Sequence, residues 1–84
     1  QVIALIVNGN SMEPLFYNGY VIVVKKTKTI HHGQIIVVIV KNKAYVKKLY
    51  RKNKEIRLIS LNPDYDDIIL KEDDTIEVIG TVIT

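Results

Sequence analysis

Short runs of aliphatic residues, each about as long as one strand and each ended by turn-forming residues, constrain the fold of this chain more than any other feature. Much of the apolar content is Val and Ile, whose branched side chains suit a pleated sheet. No segment repeats its apolar residues with the period of an amphipathic helix. Short strands at nearly regular spacing are typical of a β-sandwich or a partly open barrel. We therefore predict an all-β fold without a long helix.

Turn signals divide the chain into predicted strands and one short helical turn. The helical turn covers residues 12–16, and residues 25–29 form an exposed loop. The third strand is apolar throughout, which predicts burial on both of its faces. Gly80 marks a bulge in the last strand, and the edge of that strand is our prediction for a dimer contact. The predicted strands comprise residues 2–7, 20–24, 34–40, 44–50, 55–61, 68–70 and 75–83.

Length and composition predict a single small domain, residues 1–84. A chain of 84 residues has room for one core, and an apolar fraction of 48% is enough to fill it. The absence of cysteine fits a reducing compartment, so we expect a cytoplasmic protein. No apolar run approaches the ~20 residues of a membrane span, and no signal-peptide pattern opens the chain. We therefore expect no membrane association.

The chain has two histidines, His31 and His32, which are adjacent in sequence and are candidate metal ligands. Neighbouring residues of a strand point to opposite faces, so the two rings are not expected to bind one ion. The chain has no cysteine and no His-x-x-x-His spacing, which leaves a zinc site without support. We predict a polar loop here, with neither a metal site nor a cofactor site.

The formal net charge of +3 hides two adjacent stretches of opposite charge. A basic run of this kind is either a contact surface for nucleic acid or the solvated face of a hairpin. No aromatic stacking platform and no basic recognition helix accompanies it, so the hairpin interpretation is favoured. The basic stretch contains Lys41, Lys43, Lys47, Lys48, Arg51, Lys52, Lys54 and Arg57, and the acidic stretch contains Asp64, Asp66, Asp67, Glu72, Asp73, Asp74 and Glu77.

A serine on a tight turn and a lysine among apolar residues are the candidate catalytic groups. Ser11 lies in the Gly- and Asn-containing segment of residues 8–14. A serine hydroxyl is a poor nucleophile until a base accepts its proton, and lysine is such a base only when its amine is neutral. Burial among apolar side chains favours the neutral amine. Lys47 and Lys48 both have apolar neighbours on their predicted strand, so the alternation of faces leaves the choice between them open.

Six short motifs follow one another along nearly the whole chain. They are Gly9-Asn10-Ser11-Met12-Glu13-Pro14, Asn18-Gly19-Tyr20, His32-Gly33-Gln34-Ile35-Ile36, Tyr45-Val46-Lys47-Lys48-Leu49, Leu58-Ile59-Ser60-Leu61-Asn62-Pro63-Asp64-Tyr65 and Val78-Ile79-Gly80-Thr81-Val82. In order and spacing they resemble the C-terminal domain of LexA-like self-cleaving repressors, a family that includes phage repressors and UmuD proteins. The resemblance implies a small, partly open β-barrel of short, mostly antiparallel strands, as in LexA and signal peptidases.

The resemblance also implies roles for the matching residues. The family's nucleophile is the serine of its Ser-Met motif, here Ser11. Its general base is the first lysine after the valine of Val-Lys-Lys-Leu, here Lys47. Backbone N–H groups at the turn of Asn10, Ser11 and Met12 would supply the oxyanion site. Asn10 and Tyr20 stand where many family members have aspartate.

In function, the resemblance implies the catalytic and dimerising domain of a phage-type or SOS-type transcriptional repressor. Such a domain hydrolyses one peptide bond of its parent chain, stimulated by a RecA–DNA filament. Cleavage separates the dimerising half from a DNA-binding half. Two DNA-binding halves that are no longer joined through the dimer bind their paired DNA sites far more weakly. Only ten residues precede Ser11 here, so we expect the cleavage site and the DNA-reading domain to lie outside this chain.

Two alternatives remain open at this stage. One is a non-catalytic dimerisation module of a transcriptional regulator, in which Ser11 and Lys47 are unused. The other is a UmuD-like accessory of translesion DNA synthesis. A type I signal peptidase shares the Ser-Met-x-Pro motif and a lysine base. It is disfavoured, because its membrane anchor and its Gly-Asp-rich segment after the lysine have no counterpart in this sequence.

Overall fold

The computed structural model describes residues 1–83 and is an all-β fold, as predicted. All neighbouring strands pair antiparallel in one sheet of order β1-β2-β7-β3-β4-β5-β6. The sheet is not closed, because β1 and β6 form its two edges, and this agrees with the predicted partly open barrel. The strands are β1 Val2–Ile6, β2 Val21–Lys26, β3 Ile35–Val40, β4 Lys43–Lys52, β5 Glu55–Ile59, β6 Ile68–Leu70 and β7 Ile76–Val82.

The strands differ from the predicted ones mainly in where they end. β2 continues through Lys25 and Lys26, which pair with β7, so the predicted loop at residues 25–29 starts too early. β4 extends to Lys52, because the turn to β5 needs only two residues. Residues 12–16 form a hydrogen-bonded turn in place of the predicted helical turn: the Phe16 N–H donates to the Met12 carbonyl oxygen at 3.0 Å, but the Glu13-Pro14 peptide bond inside it is cis and the segment is not helical.

The central strand β3 is buried on both faces, as its uninterrupted apolar sequence predicts. Val37 belongs to one core cluster, while Ile36, Val38 and Val40 belong to a second. Burial of apolar surface is the main stabilising term of a fold. Here it packs β3 against one core cluster on each face of the strand. The other buried residues of the first cluster are Val7, Met12, Phe16, Ile22 and Val24, and those of the second are Leu49 and Leu58.

The predicted bulge at Gly80 is confirmed, but the prediction that β7 is an edge is wrong. Val37 pairs with Gly80 and Val38 with Val78, which leaves Ile79 as an extra residue on β7. A Cβ atom on Gly80 would lie 2.0 Å from the Lys25 carbonyl oxygen, so only glycine fits this approach to β2. β7 lies between β2 and β3 and pairs with both of them.

Candidate active site

Ser11 lies on a tight turn within the connection from β1 to β2. Gly9 has a φ of 90°, in the left-handed region that favours glycine, and its N–H donates to Asn18 Oδ1 at 2.7 Å. Met12 is fully buried in the first core cluster. The core therefore holds the turn, while the Ser11 side chain lines an open cleft.

The structure distinguishes the two candidate lysines by burial. Alternate residues of β4 face the core, so Lys47 is only 6% exposed whereas Lys48 is exposed. Lys47 Nζ lies 2.8 Å from Ser11 Oγ and donates a hydrogen bond to it. The fold thus brings together the serine and the lysine for which the resemblance implied a dyad, across 36 residues of sequence.

A second buried hydroxyl, that of Ser60, also contacts the lysine. Lys47 Nζ donates to Ser60 Oγ at 2.9 Å, and Ser60 is 7% exposed. No role for Ser60 is predicted from the sequence. The signal that could have found it is the lone hydroxyl in the apolar segment of residues 58–61, since a buried hydroxyl needs a polar partner.

Burial shifts the protonation equilibrium of the lysine towards the neutral amine. Desolvation lowers the pKa of Lys47 from its ordinary value, because the ammonium form loses hydration among apolar neighbours. The Asp67 carboxylate opposes this shift in pKa by Coulombic attraction. The Tyr45 ring, with its centroid 5.7 Å from Lys47 Nζ, also favours the ammonium form. The amine therefore lies in an environment that reduces, but does not abolish, its preference for a positive charge.

The loop of residues 60–67 between β5 and β6 contacts both the serine turn and the lysine. The Asn62 N–H donates to the Ser11 carbonyl oxygen, and Asn62 Nδ2 donates to the Asn10 carbonyl oxygen, each at 2.9 Å. Ser60, at the start of this loop, contacts Lys47. One loop thus fixes the serine turn relative to the lysine, which is the relative placement that a dyad requires.

A cleft with a cavity volume of about 200 Å³ opens beside Ser11 and Lys47. β3 pairs with residues 43–48 of β4, whereas β5 pairs only with residues 48–52. Within residues 1–83, residues 43–47 of β4 therefore have no strand on one side, and four of them line the cleft. The lining residues are Leu5, Ile6, Val7, Asn8, Ser11, Met12, Val37, Ala44, Tyr45, Val46 and Lys47.

Comparison with known proteins identifies the family. The model of the Peptidase S24-like family matches residues 1–83. This chain belongs to the Peptidase S24-like family. It is 39% identical over 84 residues to the LexA repressor of Acetivibrio thermocellus, which covers 98% of this chain and 38% of that protein. It is 36% identical over 66 residues to the LexA repressor of Syntrophotalea carbinolica, which covers 79% of this chain and 33% of the relative.

A further LexA repressor, from Bacillus mycoides, is 35% identical over 85 residues, which covers 99% of this chain and 40% of that repressor. The chain thus spans between 33% and 40% of the length of these three relatives. The predicted recognition of a LexA-like C-terminal domain is confirmed at the level of the family.

In this S24-like domain, the turn predicted to supply the oxyanion site contains two backbone N–H groups that donate to no acceptor among the described residues. The Asn10 carbonyl oxygen accepts from the Glu13 N–H at 3.3 Å and from the Asn62 side chain. Among residues 1–83, the N–H groups of Ser11 and Met12 donate to no protein acceptor. Two adjacent backbone donors are therefore available beside the Ser11 hydroxyl.

The remaining predicted features of the S24-like domain lie away from this cleft. His31 and His32 lie in a polar turn before β3, as predicted, where His32 Nδ1 accepts from the Arg51 N–H at 3.0 Å. No group of three or more potential metal-ligating side chains occurs among the described residues. No helix in residues 1–83 is long and apolar enough to cross a membrane.

Proposed function

We propose that this domain is the self-cleaving C-terminal part of a LexA-like transcriptional repressor. It hydrolyses one peptide bond of its own parent chain, with Ser11 as the nucleophile and Lys47 as the general base. The observation that carries the proposal is the contact of 2.8 Å between Lys47 Nζ and Ser11 Oγ, made by a lysine that is 6% exposed. A surface lysine beside a serine would stay charged and would accept no proton.

The first half of the reaction forms an ester on the enzyme. The neutral Lys47 amine accepts the hydroxyl proton of Ser11, and Ser11 Oγ forms a bond to the carbonyl carbon of the scissile peptide. The resulting oxyanion is stabilised by the N–H groups of Ser11 and Met12, which stay fixed while its charge develops. The Lys47 ammonium then gives its proton to the leaving nitrogen as the C–N bond breaks.

The second half returns the enzyme to its starting state. Lys47, again neutral, accepts a proton from a water molecule whose oxygen attacks the ester carbonyl carbon. The bond from that carbon to Ser11 Oγ breaks, Ser11 regains a proton from Lys47, and a carboxylic acid product leaves. Ser60 holds the amine in place throughout, because Lys47 Nζ donates to Ser60 Oγ at 2.9 Å, and the neutral amine then uses its lone pair to accept the Ser11 proton.

The free edge of β4 supports an extended peptide as the substrate. A segment that pairs with residues 43–47 of β4 would continue the sheet and satisfy its own backbone donors and acceptors. The edge runs along the cleft to Lys47, so the paired segment would pass the Ser11 hydroxyl. The cleft is lined mainly by aliphatic side chains, which suits small apolar residues on either side of the cleaved bond.

Self-cleavage of the parent chain is expected to accelerate as the pH rises. The neutral amine is the active form, and the pKa of Lys47 is lowered by desolvation. The rate should increase about tenfold for each pH step of one below that pKa and level off above it. The midpoint should lie below the ordinary lysine value of 10.5. Rates measured by mass spectrometry at several pH values give the profile, and a profile that is flat or falls with pH would exclude a lysine base.

We also propose that the domain dimerises through an exposed aliphatic face on β1 and β2. Ala4 pairs with Val23 and Ile6 with Val21, and paired residues share one face of a sheet. Exposed apolar patches of this kind mark interaction surfaces. We define the aliphatic face as Val2, Ala4, Ile6, Val21, Val23 and Ile83, of which four are prominently exposed.

A charge on this aliphatic face is expected to dissociate the dimer. Val21, which is 62% exposed and does not line the cleft, is a suitable position, and Val21→Glu would bury a carboxylate in the contact. Ile69→Glu is the matched control, because Ile69 is 59% exposed on β6 at the other edge of the sheet. Measured by sedimentation equilibrium, the association of Val21→Glu should be about 100-fold weaker than that of wild type. The association of Ile69→Glu should equal that of wild type. A wild-type monomer at high concentration, or equal association of both variants, would contradict this interface.

In the intact repressor, the same proposal links cleavage to gene control. The DNA-binding part would lie outside this chain, and a dimer of this domain would hold two such parts on neighbouring DNA sites. Cleavage separates the two DNA-binding parts, so binding of one part no longer raises the effective concentration of the other at the neighbouring site. Affinity for the paired sites therefore falls, although each part keeps its own DNA contacts. A RecA filament would stimulate the cut by favouring the state in which the scissile bond occupies the cleft.

A further inference from the structure

In the loop of residues 60–67, Ser60 connects an exposed carboxylate to the buried lysine. The Ser60 N–H donates to Asp67 Oδ1 at 3.4 Å, and Ser60 Oγ donates to the Asp66 carbonyl oxygen at 3.4 Å. Ser60 Oγ is also the partner of Lys47 Nζ. Ser60 therefore contacts both the Asp67 carboxylate and the Lys47 amine, and these two charged groups form no direct ion pair with each other.

The surroundings of Lys47 contain few other charges. The serine turn contributes the neutral Ser11 hydroxyl, and β4 contributes the Tyr45 ring. Ile36 faces Lys47 from β3, and Ser60, the first residue after β5, contacts its amine. Lys48 points to the opposite, exposed face of β4. Among the described residues, Asp67 is the charged group whose field acts on the amine.

We infer that Asp67 is a positioning residue that restrains self-cleavage by holding the Lys47 amine in its charged, inactive form. The inference rests on the proposed function, because it concerns the charge of the proposed base. Asp67 is exposed at the surface, so a cationic group of a binding partner can reach and neutralise its carboxylate. Neutralisation would release the proton from Lys47 and allow the amine to act on Ser11.

The substitution Asp67→Asn isolates the charge from the geometry. Asparagine keeps an Oδ1 acceptor for the Ser60 N–H, so the loop contact is preserved while the negative charge is removed. Asp66→Asn is the matched control. It removes the same charge from the adjacent position, but Asp66 contacts Ser60 through its backbone carbonyl, which asparagine retains.

Self-cleavage of the intact parent chain is then followed from about pH 6 to about pH 10 for the three proteins. We expect Asp67→Asn to cleave roughly three to ten times faster than wild type at neutral pH, with its profile moved to lower pH. The rate at the high-pH plateau should stay the same, because the neutral amine is identical there. Asp66→Asn should follow the wild-type profile. An unchanged or slower Asp67→Asn, or an equal shift in Asp66→Asn, would overturn the inference.

A second readout separates this inference from the proposed function. In the intact Ser11→Ala chain, the Lys47 Cε resonance reports protonation of the amine by NMR without any cleavage. Adding Asp67→Asn should move the midpoint of that titration to lower pH, and an unchanged midpoint overturns the restraint. Absence of cleavage in wild type at every pH would instead reject the proposed function, whatever the titration shows.

Discussion

Replacing Ser11 with alanine is expected to abolish self-cleavage of the parent chain, with a loss of rate of about 10⁴-fold or more. The chain has no cysteine that could take over as the nucleophile, and the Lys47 amine would have no hydroxyl from which to accept a proton. The measurement is the mass of the intact chain over time at high pH, where the wild-type reaction is fastest.

The fold should be unaffected by Ser11→Ala, which makes the loss interpretable. The turn is held by backbone contacts, including the hydrogen bond from the Asn62 N–H to the Ser11 carbonyl oxygen, and alanine keeps that carbonyl. Thermal unfolding and the oligomeric state should match those of wild type. Cleavage by Ser11→Ala at the wild-type rate would remove this serine from the mechanism.

Replacing Lys47 with methionine is expected to stop self-cleavage while making the domain more stable at neutral pH. Loss of the general base should lower the rate by about 10³-fold or more. Methionine keeps the apolar stem of the lysine side chain but has no amine to desolvate. The pKa of Lys47 is lower in the folded state than in the unfolded state, so burial of this amine opposes folding at neutral pH.

The sign of this effect defines its pH dependence. A lowered pKa in the folded state means that the unfolded state binds more protons, so wild-type stability rises with pH until the unfolded lysine also loses its proton. Lys47→Met should therefore exceed wild type most at neutral pH, and the gap should narrow as the pH approaches the ordinary lysine pKa. Chemical denaturation at neutral and at alkaline pH measures both differences in the free energy of unfolding.

Lys48→Met is the matched control for the lysine. Lys48 is the next residue of β4 but lies on its exposed face, so its amine is already hydrated. Both the cleavage rate and the unfolding free energy of Lys48→Met should stay near the wild-type values, since exposed substitutions usually change stability by less than ~0.5 kcal/mol. Loss of cleavage in Lys48→Met and not in Lys47→Met would reverse the assignment of the base.

The strands could be predicted from sequence, whereas their order in the sheet could not. Apolar runs between turn residues located all seven strands, and the uninterrupted run of β3 indicated burial on both faces. The position of β7 between β2 and β3 depends on pairing between residues far apart in sequence. Local patterning contains no information on such pairing, and the predicted edge at β7 was therefore wrong.

The choice between Lys47 and Lys48 also depends on contacts that local sequence patterning does not predict. Alternation alone left Lys47 and Lys48 equivalent, because both have apolar sequence neighbours. The distinction came from the pairing of β3 and β4 and from the core that covers one face of β4. The resemblance to a family supplied the choice of Lys47, and the burial of Lys47 gives the physical reason for it.

Ser60 was missed because the turn between β4 and β5 was assigned too broadly. The observed turn has two residues, with Asn53 at a φ of 57°, and it pairs Lys52 with Glu55. In that register Lys48 pairs with Ile59. Lys47, the residue before Lys48, therefore lies beside Ser60, the residue after Ile59. The predicted strands leave residues 51–54 as a turn, which fixes no register and therefore does not place Ser60 beside Lys47.

The most direct test of the account is the mass of the intact parent chain, including its upstream segment, after incubation without any partner at about pH 7 and about pH 10. We expect a single internal cut that is faster at the higher pH and is absent from the Ser11→Ala chain. If the chain stays intact at both pH values, even after addition of an activated RecA filament, this domain is a dimerisation module and not a peptidase.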